Sequence, residues 1–107
     1  MKVVFLHSAE QDLLELKSYV LKNFGAAAWR ASYRKIRDAV SRLKKFPNGG
    51  HVPDELVRLN IGHYRQVIAG MYRIIYEVRD ETLFIHLVCD TRKEMRALLV
   101  QRLLRVS

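Results

Sequence analysis

Two consecutive stretches near the middle of the chain alternate apolar and polar positions with a period of two. In the first, Tyr72, Ile74, Tyr76 and Val78 fall on one side of an extended segment, with Arg73, Ile75 and Glu77 on the other. In the second, Leu83, Ile85 and Leu87 oppose Phe84, His86 and Val88. Both are rich in β-branched and aromatic residues, which fit a pleated surface, so two adjacent strands are predicted. Arg79, Asp80 and Glu81 form the exposed connection between them. No Asn-Gly or Asp-Gly pair demands a two-residue mirror-type turn there, and a longer loop is equally compatible. Gly70 interrupts an apolar run and reads as the turn of a preceding hairpin. Leu56–Leu59 is a weaker candidate for an earlier strand, followed by Asn60, Ile61 and Gly62.

Before this region the pattern has a helical period. Lys2–Leu6 is a short β-rich run, suited to an edge strand that pairs outside its own neighbourhood. Ser8 then stands as an N-cap with Gln11 at the capping-box position, predicting a helix from Ala9 to Asn23. Its apolar stripe is Leu13, Leu16, Val20 and Phe24, widened by Leu14 and Leu21, and Gly25 ends it. A second helix follows from Ala26 to Lys45 with Trp29, Tyr33, Ile36, Val40 and Leu43 facing inward. Its other face carries Arg30, Arg34, Lys35, Arg37, Arg42, Lys44 and Lys45, which for the most part reads as solvated surface. The one-glycine joint makes the two an antiparallel helical hairpin. Pro47-Asn48-Gly49-Gly50 opens a loop to Pro53. At the other end, Thr91 with Glu94 three residues on starts a last helix whose Met95, Leu98, Leu99 and Leu103 face inward, while Arg92, Lys93, Arg96, Arg102 and Arg105 decorate the rest.

The resulting class is α+β: an N-terminal strand, an antiparallel helical hairpin, a three- to four-stranded mainly antiparallel sheet and a C-terminal helix. The helices are expected on one face of the sheet. Trp29, Tyr33, Ile36 and Val40 are expected to pack on Ile74, Tyr76, Ile85 and Leu87. At 107 residues, 1–107 forms one domain. Half the residues are hydrophobic, yet no run approaches a membrane span and the initial apolar run is too short for a signal peptide. A soluble protein with no membrane partner is expected. The single cysteine, Cys89, excludes an internal disulfide and fits a cytoplasmic location.

Charge adds the first functional information. Nineteen Lys and Arg against eleven Asp and Glu give a net charge of +8, which favours an anionic partner. No phosphate-cradling glycine loop, metal-spaced Cys/His set or Ser-His-Asp pattern is present, so no metal or cofactor is expected. Strand parity sets His86 and Cys89 on opposite faces, which argues against a metal pair, and nothing identifies a base beside Cys89. What remains is a basic and aromatic set: Arg65, Arg73, Arg92 and Arg96, with His63, Tyr64, Tyr72 and His86. Arg73 stands within the most apolar segment, where a charge is costly without a partner. It is either a surface cation paired with Glu77 on the same strand face or an anion-binding group.

The order of elements, the strand Gly70-Met-Tyr-Arg-Ile-Ile-Tyr-Glu-Val78 and the closing Val88-Cys-Asp-Thr-Arg92 resemble the RelE/ParE superfamily of toxins from type II toxin-antitoxin systems, across essentially the whole chain. That resemblance implies a cognate acidic antitoxin and one of two targets. RelE-like members are ribosome-dependent, metal-independent endoribonucleases that cut messenger RNA; ParE-like members poison DNA gyrase and are not enzymes. Carried over by motif, Arg73, Arg92 and Arg65 are the catalytic candidates of the nuclease reading, which could also recruit His63 or His86. Val67 stands where a second basic residue is expected and Leu98 near where the nucleases place a tyrosine. The arginine-rich tail is closer to the ParE branch, with Arg73, Arg92, Arg96, Arg102 and Arg105 as target-binding residues. The expectation is a ParE-like gyrase inhibitor, then a RelE-like nuclease, then a non-toxic basic nucleic-acid-binding module.

Overall fold

A computed structural model describes residues 1–91 and 95–103. Arg92, Lys93, Glu94 and Arg105, with the side chains of Met95 and Arg96, lie outside the described residues. The elements are β1 (Lys2–Phe5), α1 (His7–Phe24), α2 (Ala26–Lys45), α3 (Asp54–Val57), β2 (Arg65–Ala69), β3 (Tyr72–Arg79), β4 (Thr82–Asp90) and α4 (Met95–Leu103). They build the predicted α+β architecture around one open sheet of order β1-β4-β3-β2. β2, β3 and β4 form an antiparallel meander, and β1 joins its far edge parallel to β4, Lys2 opposite Thr82 and Phe5 opposite Ile85. The edge strand therefore pairs 80 residues away, as its isolated apolar run required.

β1 passes into α1 without a polar cap. Leu6 still donates its N–H to the Ile85 carbonyl at 3.0 Å while its own carbonyl accepts the N–H of Glu10, so the chain turns from strand to helix at one residue. Ser8 consequently sits inside the first turn and makes no capping bond, which corrects the expected start. The Leu56–Leu59 run is not a strand either. Pro53 and Asp54 initiate the short helix α3 instead, and burying Leu56 completely satisfies the apolar signal. Both hairpins have two-residue loops. Gly70 takes a left-handed φ of +65°. Asp80 and Glu81 take φ +50° and +60°, so the mirror-type turn forms without the glycine that usually signals it.

One irregularity decides which residues face which layer. Ile75 pairs with Leu87 but Tyr76 with Ile85, so His86 is an extra residue in β4, a β-bulge. Parity inverts across it: Leu83, Ile85 and Val88 share one face, and Leu87 and Cys89 the other. The expectation that Leu87 continues the Leu83–Ile85 face, and that His86 and Cys89 are separated by parity, fails for this reason.

The sheet is covered on both sides, not one. On the first face the α1–α2 hairpin packs Ala9, Leu13, Leu16, Ile36, Ala39, Val40 and Leu43 onto Tyr72, Ile74, Tyr76, Leu83, Ile85 and Val88. On the second, Leu56 and Leu99 close over Tyr64, Ile75, Leu87 and Cys89, with Leu98 and Leu103 alongside. Trp29 is only half-buried and Tyr33 is 46% exposed; their rings lie 5.7 Å apart, packed on each other. Phe24, Leu14 and Leu21 are likewise exposed, and the inward stripe of α1 begins at the fully buried Ala9. Toward its closed end the hairpin pairs its aromatic side chains at the surface, Tyr19 against Phe24 and Trp29 against Tyr33.

Candidate functional site

Arg73 lies on the second face of the sheet, where the loop after α2 and the short helix α3 come across it. Its guanidinium makes a two-pronged contact with Glu55, Nη1 to Oε2 and Nη2 to Oε1 both at 3.1 Å. Its Nε donates to Gln66 Oε1 at 2.8 Å, and Nη2 shares that oxygen. Gln66 in turn donates to His51 Nε2 at 2.8 Å, and the His51 and Gln66 backbones exchange a pair of hydrogen bonds. Such a planar fork on a carboxylate is the strong form of ion pair. The partner is Glu55, not the Glu77 that strand parity offered; Glu77 binds His86 Nε2 at 2.8 Å, and His86 stands edge-on to Tyr64.

The contact with Arg73, first through its hydrogen bond and then its charge, holds the Glu55 carboxyl below the usual carboxylate range against a counteracting desolvation. Since the folded-state pKa is depressed, this contribution is complete above the pH where an unfolded glutamate ionises and is lost as pH falls through the folded value. Glu55→Gln is therefore expected to lower the melting temperature at pH 7, and the difference is expected to shrink as pH falls below the range where an unfolded glutamate ionises and through the depressed folded value. A pH-independent difference in melting temperature would refute the linkage. Burial pushes the Tyr64 hydroxyl above its ordinary value, with the Glu77 charge adding to it, so the phenol beside His86 stays protonated.

Arg65 belongs to the other side of the sheet. It is paired with Tyr76, whose ring is in the hairpin core, and its Nη1 donates to the Gly50 carbonyl at 2.8 Å. Cross-strand partners share a face, so Arg65 and Arg73 point to opposite layers and the structure does not bring them together. The two substitutions that set this chain apart have packing explanations. Val67 lies against the hairpin core, and Leu98 lies against the second core.

Sequence reasoning missed a second polar junction that ties three elements together. Asp12 accepts Arg102 Nη1 on Oδ1 and Arg102 Nη2 on Oδ2, both at 3.0 Å, and its Oδ2 also accepts the Val88 N–H at 3.0 Å. Arg102 Nη2 donates further to the His86 carbonyl at 2.9 Å. β1 ends opposite Ile85, so β4 continues past its last strand partner on that side, and the ion pair takes up two backbone groups at the bulge. The sequence did hold a signal: Asp12 is three residues after Ala9 and four before Leu16, on the inward side of α1. Beside the pair, a cavity of about 540 Å³ is lined by α1, the end of β4 and α4.

Among the described residues no cluster of three or more His, Cys, Asp or Glu side chains could hold a metal ion, and no helix is long and apolar enough to cross a membrane. A helical hairpin packed on a four-stranded open sheet, in a chain of net charge +8, is a small basic protein of the α+β class. Residues 3–95 match the model of the ParE toxin of the type II toxin-antitoxin system parDE, and the chain belongs to that family. A search of curated proteins finds no match. Membership makes this chain the toxin of such a pair and implies an antitoxin partner.

Proposed function

We propose that this toxin stops growth by binding DNA gyrase and inhibiting supercoiling, without breaking a bond itself. The observation that carries the reading is the closed state of Arg73. Metal-free cleavage of RNA needs cations and proton carriers converging on one phosphate. Here the Arg73 guanidinium is occupied by Glu55 and Gln66, and Arg65 serves the opposite layer. The proposed target surface is the C-terminal segment with Arg92, Arg96 and Arg105; Arg73, held by Glu55 and Gln66, contributes by fixing α3 on the sheet. Arg102 contributes by seating α4. The antitoxin is proposed to be acidic, matching the net charge of +8.

The test is to purify the wild type, Arg73→Ala and a truncation after Asp90, verify folding, and assay gyrase supercoiling beside ribosome-dependent cleavage. Wild type is expected to inhibit supercoiling and leave messenger RNA intact. Arg73→Ala, which removes a positioning contact and no catalytic group, is expected to weaken inhibition by no more than about tenfold, and the truncation to abolish it. Messenger RNA cleavage that vanishes in Arg73→Ala, with supercoiling unaffected throughout, would replace this function with the ribonuclease.

A further inference from the structure

The positive charge of this protein is concentrated on one helix. α2 carries seven Lys or Arg against the single Asp38, six of the eight net positive charges of the whole chain. All seven side chains are exposed. The ion pair on this face, Arg37 with Asp38 at 3.8 Å, is between side chains that are 60% and 59% exposed and so is weak. Arg30, Arg34, Arg37, Ser41, Lys44 and Lys45 recur at helical spacing, which sets them on one ridge. The opposite side of the helix, Ile36, Ala39, Val40 and Leu43, is buried against the sheet, so the ridge is held rigidly outward. A face that merely keeps a protein soluble mixes both signs; this one does not.

We propose that the α2 ridge docks on the phosphate backbone of duplex DNA. The ridge spans about 22 Å at 1.5 Å per residue. Duplex DNA presents a negative charge every 1.7 Å or so of its axis, about a dozen over that length. Three of the five ridge cations are arginines, whose planar fork matches phosphate oxygens, and Ser41 adds a hydroxyl donor between them. A straight, rigid row of cations suits the regular backbone of a duplex. A single strand would call for free aromatic faces, whereas Trp29 and Tyr33 on this helix are packed on each other. An acidic peptide would seat instead in the apolar groove along α2, lined by Val3, Phe5, Leu13, Ile36 and Val40 with Arg37, Ser41 and Lys44 on its rim. Arg30, Arg34 and Lys45 stand outside that groove, where a straight duplex backbone reaches them and a peptide in the groove does not. The inference does not depend on the gyrase reading, although a toxin that meets gyrase meets it on DNA and would gain from such a contact.

The experiment titrates a fluorescein-labelled 24-base-pair duplex of arbitrary sequence with the purified full chain by fluorescence anisotropy, from 50 to 200 mM KCl. Log affinity is expected to fall with log salt at a slope of about −4, a loss of two to three orders of magnitude over that range. The triple variant Arg30→Glu, Arg34→Glu, Arg37→Glu is expected to lose at least about a hundredfold in affinity while melting normally, because these side chains support no core contact. Lys2→Glu, Lys17→Glu, Lys22→Glu changes net charge equally on other elements and is expected to weaken binding only severalfold. Equal losses in the two variants, or no binding at 50 mM KCl, would overturn the proposal. So would tighter binding at matched salt to the single strand or to an oligoglutamate peptide of the same charge. Supercoiling assays on the same variants keep this result separate from the gyrase question.

Discussion

Asp12→Ala is expected to destabilise the protein by about 3 kcal/mol, a large part of the margin of a domain this size. Both side chains of the pair are mostly out of water, 14% exposed for Asp12 and 20% for Arg102. Removing the carboxylate leaves the guanidinium uncompensated and the Val88 N–H without its acceptor at the same moment. Nor can strand pairing take up the loss, because β1 has already ended opposite Ile85. At this chain length the melting temperature should fall by more than 10 °C. Asp12→Asn, which retains an acceptor for Val88, should lose less, and a double-mutant cycle with Arg102→Ala should show strong coupling. Since Arg102 ties α4 to α1 and β4, the C-terminal segment of Asp12→Ala should also be cut earlier in limited proteolysis. Unchanged thermal melting and proteolysis would mean that the pair merely balances its own desolvation.

Gly50→Ala is the second large effect, expected at about 2 to 4 kcal/mol. An ideal Cβ at this position would stand 2.5 Å from the Gln66 carbonyl oxygen and 2.7 Å from Tyr76 Oη. Neither neighbour can withdraw cheaply. The Gln66 carbonyl is already paired with the His51 N–H, and Tyr76 is fully buried, accepting the Gly50 N–H at 2.9 Å and donating to the Pro47 carbonyl at 2.8 Å. The loop from Pro47 to Pro53 must therefore lift from β2. Because α3 follows that loop directly, Glu55 should shift relative to Arg73, and the pH dependence expected of their contact should diminish in the same variant. Gly62→Ala is the matched control, with no atom within 4 Å of the added methyl and an expected change of less than about 0.5 kcal/mol. Equal melting of the two variants would show that the loop is not packed as described.

Arg73 shows how far the site was legible. Its position in an apolar strand announced that a partner had to exist, since an unpaired charge there is costly. Which partner was not legible. Glu77 offered itself by strand parity, but the acid that reaches Arg73 is Glu55, 18 residues back on a helix that the Leu56–Leu59 pattern disguised as a strand. The Asp12–Arg102 pair joins residues 90 apart, and only Asp12, lodged on the inner side of α1, hinted at it. The even distribution of arginines along the tail read as surface, although Arg102 is one of the most engaged side chains in the molecule.

By itself the sequence determined the element order apart from α3, both hairpins, the helical hairpin with its glycine joint and the strongly basic α2, because each depends on residues a few positions apart. Periodicity, turn chemistry and charge are local signals of that kind. The motif Gly70–Val78 with Val88–Arg92 also placed the chain in its toxin family. Only the tertiary structure decided the parallel pairing of β1 with β4, the covering of the sheet from both sides and the bulge at His86. That one extra residue reassigns Leu87, Val88 and Cys89 between layers, and it leaves no mark on the hydrophobic pattern because both faces of β4 are buried. Burial on both faces removes the contrast between apolar and polar positions from which register is read.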